Sequence, residues 1–122
     1  MKSTIILFWS NFNKECKDFT TWKNSELVFS PFHKLTLGSH EKLNNTVELW
    51  TFQQVSNFDY KNITIKDASK FMEPEIAFDS LQKGHSIAFL ADAIRLKRAA
   101  EIEGIVLDMD AVVLKTFPEY DS

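Results

Sequence analysis

Along the chain, short apolar runs with the pattern of strands are separated by segments with the pattern of helices. Residues 4–9 form an almost continuous apolar run, which is typical of a buried parallel strand. Residues 46–52 alternate, with Val47 and Leu49 on one face and Glu48 and Trp50 on the other, which predicts a second strand. Residues 62–66 predict a third short strand, and residues 67–71 a helical turn.

Two segments have the longer period of helices. Residues 31–43 predict a short helix with Leu35 and Leu43 on its buried side. A second helix is expected to begin after Ser86, a residue type that favours N-caps, and to end near Glu103 with Gly104 as its stop. Its apolar face is expected to contain Ile87, Leu90, Ala91 and Ile94, widened by Phe89, Ala93, Leu96 and Ala100.

The alternation of strands and helices predicts an α/β fold with a mainly parallel, Rossmann-like sheet. In such sheets, ligands bind beyond the carboxyl ends of the strands. Residues 105–107 predict a further strand, and Asp108 follows them directly. We therefore expect Asp108 at the ligand-binding edge of the sheet.

Composition narrows the class of protein. A chain of 122 residues, with 44% hydrophobic and 25% charged residues, is expected to form one soluble globular domain at most. The formal net charge of -3 gives no electrostatic reason to expect nucleic acid or an anionic membrane as partner. Because Cys16 is the single cysteine, an internal disulfide and a Cys-rich zinc site are excluded, and a cytoplasmic location is expected. The apolar run at residues 5–9 is too short to predict a membrane span.

Asp108 and Asp110 are the residues most indicative of chemistry. Two carboxylates spaced in this way at a strand end can converge on one cation, and oxygen ligands suit Mg²⁺ or Mn²⁺. Such a cation would neutralise a diphosphate leaving group. The alternative interpretation is a solvated turn with two acidic residues, because a D-x-D pair is common.

Asp92 and Arg95 share one face of the predicted helix, three residues apart. They form either a surface ion pair or a pair that hydrogen-bonds sugar hydroxyls beside the metal. Lys97 and Arg98 are expected on the solvated side of the same helix. The histidines His33, His40 and His85 lack ligand spacing and are expected at the surface or in loops.

The chain has D-A-I-R at residues 92–95, E-G-I-V-L-D-M-D at 103–110, and then an apolar run and Pro118. This segment resembles the donor-binding motif of glycosyltransferases with a DXD-containing sugar-binding region. That family includes bacterial capsular polysaccharide enzymes, yeast-type mannosyltransferases and clostridial glucosylating toxins. Its pattern is S-D-x-x-R on a helix, followed by G-G-[IM]-Y-x-D-x-D and an apolar strand. The chain departs from the pattern at Ala91, Glu103 and Val106.

The resemblance implies a GT-A-like nucleotide-sugar-binding sheet in residues 1–122, truncated after the DXD strand. It implies that Asp108 and Asp110 bind Mn²⁺ or Mg²⁺ and the diphosphate, and that Asp92 and Arg95 bind the donor sugar. It further implies that Trp9 stacks on the base, although a core Trp at a strand end is the other interpretation. The expected partners are a nucleotide-sugar donor, with UDP or GDP as its nucleotide, and an unknown acceptor.

The same resemblance implies that this donor-binding half transfers no sugar alone. A parallel sheet cut after residues 112–114 would also leave an unpaired edge. We therefore expect the isolated chain to self-associate or to require a completing chain.

Two other hypotheses compete with this one. Residues 106–114 also resemble the first motif of haloacid-dehalogenase-type phosphatases, in which Asp108 would be the nucleophile and Asp110 the general acid/base, with Mg²⁺. That family has Gly where this chain has Ala111, and its motif opens the fold. The third hypothesis is a degenerate, non-catalytic product that binds nucleotide without turnover.

Overall fold

The structure, a computed structural model, describes residues 3–11 and 16–109. In this part of the chain, four strands form one sheet in the order β3-β2-β1-β4, and all neighbours pair in parallel. The strands are β1 (Thr4–Phe8), β2 (Val47–Thr51), β3 (Ile63–Asp67) and β4 (Gly104–Val106). The predicted α/β class with a parallel sheet is therefore confirmed, as are the first three predicted strands, and the sheet is consistent with a Rossmann-like fold.

Helices connect β1 to β2 and β3 to β4, whereas residues 52–62 join the parallel strands β2 and β3 without a helix. The helices are α1 (Phe19–Lys23), α2 (Pro31–Lys42), a 3-10 turn (Ala68–Lys70), α3 (Pro74–Gln82) and α4 (Ile87–Ala99). The hydroxyl of Ser86 accepts the Phe89 N–H at 3.3 Å, so Ser86 caps α4 as predicted. Ser30 caps α2 in the same way, through the N–H of His33 at 3.1 Å.

Side chains of each strand alternate between two apolar clusters, one on each face of the sheet. Ile6 and Phe8 of β1 pack with α4 and α3, whereas Ile5 and Leu7 pack with Leu37 of α2. Both faces of the central strands are therefore covered. This arrangement leaves the carboxyl edge of the sheet as the place where strand-end side chains can meet a ligand.

The buried face of α2 differs from the predicted one. Leu35 is 58% exposed, and Leu37 is fully buried in its place. The residues that α2 buries are His33, Thr36, Leu37 and His40. The expected surface position of His33 and His40 is therefore wrong, whereas His85 is exposed as expected. The spacing of apolar residues predicted the wrong buried face for α2, because three of the four residues that α2 buries are polar.

The end of α4 also differs from the prediction. The helix ends at Ala99, and Gly104 begins β4 rather than stopping the helix. A Cβ atom at Gly104 would lie 2.5 Å from Ile6 Cδ1 and 3.1 Å from the Thr4 carbonyl oxygen. Gly104 is thus required where β4 approaches β1. On the outer side of α4, Phe89 and Leu96 are exposed, so they do not widen its buried face.

A largely buried ion pair fixes α4 to the sheet. Arg98 donates to both carboxylate oxygens of Glu48 on β2, from Nε at 2.8 Å and Nη2 at 2.6 Å. The indole N–H of Trp50 donates to the same carboxylate at 3.0 Å. Hydrogen bonding by Arg98 lowers the pKa of Glu48 below its ordinary value. Arg98 is therefore not on the solvated side of the helix, whereas Lys97 is exposed as expected.

Substitution of Gly104 tests the approach of β4 to β1. Gly104→Ala is expected to destabilise the chain by about 1–2 kcal/mol, because Ile6 is buried and the Thr4 carbonyl cannot move away. Gly38 on α2 has open space around its Cβ position, so Gly38→Ala is expected to stabilise by about 0.5–1 kcal/mol. Urea unfolding of both variants measures the two effects, and a stabilising Gly104→Ala would show that the approach is not tight.

Buried His40 makes stability depend on pH. Its Nδ1 lies 3.1 Å from Asn45 Nδ2, and none of the described residues hydrogen-bonds its Nε2. Burial lowers the pKa of the folded imidazole below its ordinary value of 6.5. The folded state then binds fewer protons than the unfolded state. The resulting stability is fully present above pH 6.5 and is lost as pH falls through the lower folded pKa.

We therefore expect His40→Gln to flatten the loss of unfolding free energy below pH 6.5. The matched control is His85→Gln, because His85 is exposed and should leave the profile unchanged. Urea unfolding at a series of pH values measures the profile. If the wild type and His40→Gln have parallel profiles, another group causes the dependence.

Candidate functional site

The carboxyl ends of β1 and β4 bring distant parts of the sequence together. The N–H of Trp9 donates to the Trp50 carbonyl at 3.1 Å, and the N–H of Leu107 donates to the Ile6 carbonyl at 3.2 Å. These bonds extend the strand pairing by one residue beyond each strand. Trp9 and Asp108 consequently lie at the same edge, next to the amino-terminal half of α4.

Arg95 is the centre of this edge. Its side chain is only 5% exposed, and its guanidinium joins α4 to the end of β4. Nη2 donates to Asp92 Oδ1 at 3.0 Å, and Nη1 donates to Asp108 Oδ1 at 2.9 Å and also to the Leu107 carbonyl. Nε donates to the Ala91 carbonyl at 3.1 Å. Each guanidinium nitrogen is thus held by the protein itself.

The two carboxylates that Arg95 holds face outward. Asp92 is 68% exposed and Asp108 is 76% exposed, in contrast to the buried guanidinium between them. A buried cation is strongly destabilising without a partner, and each of the two carboxylates stabilises it. Ionised carboxylates only accept hydrogen bonds. The arrangement therefore presents two oriented acceptors to solvent and keeps the cation behind them.

A small cavity of about 170 Å³ lies beside Arg95 and Asp108. Its remaining walls are apolar or aromatic, and consist of Phe8, Trp9, Ile87, Ala88, Ala91 and Met109. A cavity of this size has room for about six waters at liquid density. It can therefore hold one small ring, with polar groups on one side and apolar groups around it.

Trp9 forms one wall of this cavity. Its indole N–H donates to the Val28 carbonyl at 3.1 Å, and its ring contacts the His33 ring edge-to-face with centroids 4.2 Å apart. The N–H is therefore occupied, and the ring can offer a ligand mainly its surface. Trp9 also lines a second, larger cavity of about 510 Å³.

Three of the five predicted site residues, Trp9, Arg95 and Asp108, line this cavity. Asp92 contacts Arg95 but does not line the cavity. Asp110 lies outside the described residues, as does the predicted apolar run at 111–114. In residues 3–11 and 16–109, no three His, Cys, Asp or Glu side chains converge on a possible metal position.

The apolar walls of the cavity were not predicted from the sequence. Ala88 and Ala91 precede Arg95 by seven and four residues, so helical spacing counted back from Arg95 would have found them. Phe8 adjoins Trp9 and could have been found as the last residue of the strand. Met109 lies between the two predicted metal ligands, and its burial had no signal in the sequence.

No protein-family model, curated protein or solved structure matches the chain. Among the described helices, none is long and apolar enough to cross a membrane. The chemistry of the site is therefore the basis for assigning a function.

Removal of the guanidinium should loosen the end of β4. Arg95→Met is expected to destabilise the chain by about 1–2 kcal/mol, because the Leu107 and Ala91 carbonyls lose a partner. The matched control is Lys97→Met on the same helix, where the ammonium is exposed and the expected change is below about 0.5 kcal/mol. Equal unfolding free energies for the two variants in urea would show that Arg95 does not hold this edge.

Proposed function

We propose that the cavity at Arg95 binds the sugar of a nucleotide-sugar donor, and that the chain carries the donor-binding part of a metal-dependent glycosyltransferase. The observation that carries this proposal is the bridge from Arg95 to Asp92 and Asp108 at the carboxyl edge of a parallel sheet. Ligands of parallel sheets bind at that edge.

The chemistry of the cavity suits a sugar. Sugar hydroxyls donate hydrogen bonds, and Asp108 in the cavity wall can accept them. Asp92, which Arg95 joins to Asp108 from outside the cavity wall, is a second exposed acceptor for the same sugar. The less polar face of a sugar ring packs well on an aromatic surface, which Phe8 provides. The resemblance of residues 86–118 to the DXD-containing family supports the same assignment.

A cation is needed for the diphosphate. Two carboxylates against one guanidinium leave the site with excess negative charge, which would repel phosphate. Arg95 bonds Asp108 at Oδ1, and the carboxylate is largely exposed, so it can still face a cation. We propose that Asp108 and Asp110 hold Mn²⁺ or Mg²⁺, which when bound would neutralise the diphosphate.

In this proposal Arg95 is a positioning residue rather than a sugar ligand. Its nitrogens are bonded to Ala91, Asp92, Leu107 and Asp108, and its side chain is buried. It fixes the direction in which both carboxylates point. Trp9 contributes its ring surface, on which the base of the nucleotide would stack.

The dehalogenase-type hypothesis explains less of this geometry. It assigns Asp108 as a nucleophile and gives no role to Asp92, although Arg95 joins the two carboxylates. Binding without turnover, the third hypothesis, would involve the same donor contacts. An assay of sugar transfer therefore distinguishes the active glycosyltransferase from the non-catalytic binding protein. A measurement of ligand binding distinguishes both from the phosphatase.

Calorimetric titration tests the donor site. The chain should bind UDP-glucose or GDP-mannose with Mn²⁺ present and not with EDTA, and Asp108→Asn should weaken binding by at least about tenfold. The matched control is Asp79→Asn, which removes an exposed carboxylate that pairs with Lys83 and lines neither cavity. Asp79→Asn should bind as the wild type does.

A second titration separates the sugar site from a phosphatase. Asp92→Asn should weaken the sugar conjugate more than the free nucleoside diphosphate, because Asp92 is proposed to contact only the sugar. A phosphatase predicts equal effects on both ligands. Binding that persists unchanged in EDTA and in Asp108→Asn would refute the donor site altogether.

A further inference from the structure

Trp9 also lines a second, larger cavity, the tryptophan cavity. Its volume of about 510 Å³ lies within the roughly 300–1,000 Å³ of small-molecule sites. Two indoles, Trp9 and Trp22, form part of its wall, together with Val28 and Cys16. The other wall residues are polar or charged: Asn11, Thr21, Ser25, Glu26, Ser30 and His33. Most of the wall surface is nevertheless apolar, and the carboxylate of Glu26 is bonded to the N–H and hydroxyl of Ser56.

The wall is held in place by Asn11, which follows β1. Its Nδ2 donates to Ser25 Oγ at 2.9 Å and to the Glu26 carbonyl at 2.7 Å, and its Oδ1 accepts the Val28 N–H at 2.9 Å. One side chain thus fixes the segment that runs from α1 towards α2. The cavity is therefore preformed, as small-molecule sites usually are.

Several polar groups of the wall already have partners within the protein. The indole N–H of Trp9 donates to the Val28 carbonyl, and that of Trp22 donates to the Asn11 carbonyl at 2.8 Å. Ser25 Oγ donates to the Trp22 carbonyl at 2.6 Å. A ligand rich in donors and acceptors would give up its water here for few new hydrogen bonds, which is unfavourable. Flat apolar ligands lose little water and gain contact mainly with Trp9, because Trp22 is 2% exposed and its ring packs against Phe52 and Phe78.

We propose that the tryptophan cavity binds a flat apolar ring, of the size of a one- or two-ring aromatic compound. This ligand differs from the nucleotide sugar proposed above, and the cavity binds it whether or not the carboxylates at Arg95 hold a sugar. Because Trp9 lines both cavities, the two ligands would lie on either side of one indole or share its edge.

The single cysteine of the chain provides a direct measurement. Cys16 lines the tryptophan cavity and is half-buried, so a ring bound there should slow its alkylation by iodoacetamide. Indole is the probe, and an apolar ligand of its size is expected to bind with a Kd on the order of 1 mM. At saturating indole, the alkylation rate should fall by about fivefold or more.

Two surface variants test where the ring binds. Val28 is an exposed residue of the cavity wall, and Val28→Glu places a carboxylate there, which should weaken protection by indole about tenfold. Ile76 is similarly exposed on α3 outside the cavity, so Ile76→Glu should retain full protection. Because both side chains are exposed, neither variant should prevent folding.

Uridine tests whether the tryptophan cavity prefers a polar base to an apolar ring. The proposal expects indole to protect Cys16 and uridine to protect it weakly or not at all. Stronger protection by uridine than by indole would overturn the proposal, because the cavity would then recognise a polar base. Absence of protection by indole, or equal protection in the wild type and Val28→Glu, would also overturn it.

Discussion

The guanidinium of Arg95 is the group on which the carboxyl edge of this sheet depends. It is buried between α4 and the end of β4, where a cation is unfavourable unless anions and carbonyls surround it. Asp92, Asp108 and the Leu107 carbonyl supply those partners. The requirement to neutralise one buried cation thus draws two exposed carboxylates to one place. Their orientation towards solvent follows from the position of the cation behind them.

The helix that carries Arg95 is held at two levels. Just past the middle of the helix, Arg95 joins it to the strand end of β4, and three residues later Arg98 joins it to Glu48 in β2. Leu90 and Ile94 fill the space between helix and sheet. A helix fixed in this way cannot rotate without breaking a largely buried ion pair. Asp92 is therefore held at a defined distance from Asp108, as recognition of a small ring requires.

The sequence allowed the fold to be predicted wherever local pattern and tertiary packing agree. Residues 4–9 and 46–52 form strands because their apolar side chains meet a cluster on each face, and Ser86 caps a helix as its type suggests. The pairing of Asp92 and Arg95 followed from helical spacing. Their meeting with Asp108 depends on which strands are neighbours, and the motif resemblance alone pointed to it.

The predictions were wrong where tertiary packing places a residue type in an environment that is unusual for it. The buried histidines of α2 made its inner face look polar. Gly104 resembles a helix stop by type, but it is needed because β4 passes close to Ile6. The buried position of Arg95 was also not predictable, since the sequence shows its charge and not the carbonyls that surround it.

Paramagnetic broadening of amide NMR signals by Mn²⁺, with UDP-glucose present, is the most direct test of a cation-dependent sugar site at this edge. The account predicts that broadening centres on Leu107, Asp108 and Met109, and extends to Trp9 and the first turn of α4. The matching experiment with Asp108→Asn should show little broadening there. Broadening centred on Glu48 and Glu101 at the other end of α4, or spread evenly over exposed carboxylates such as Asp59 and Asp79, would contradict it.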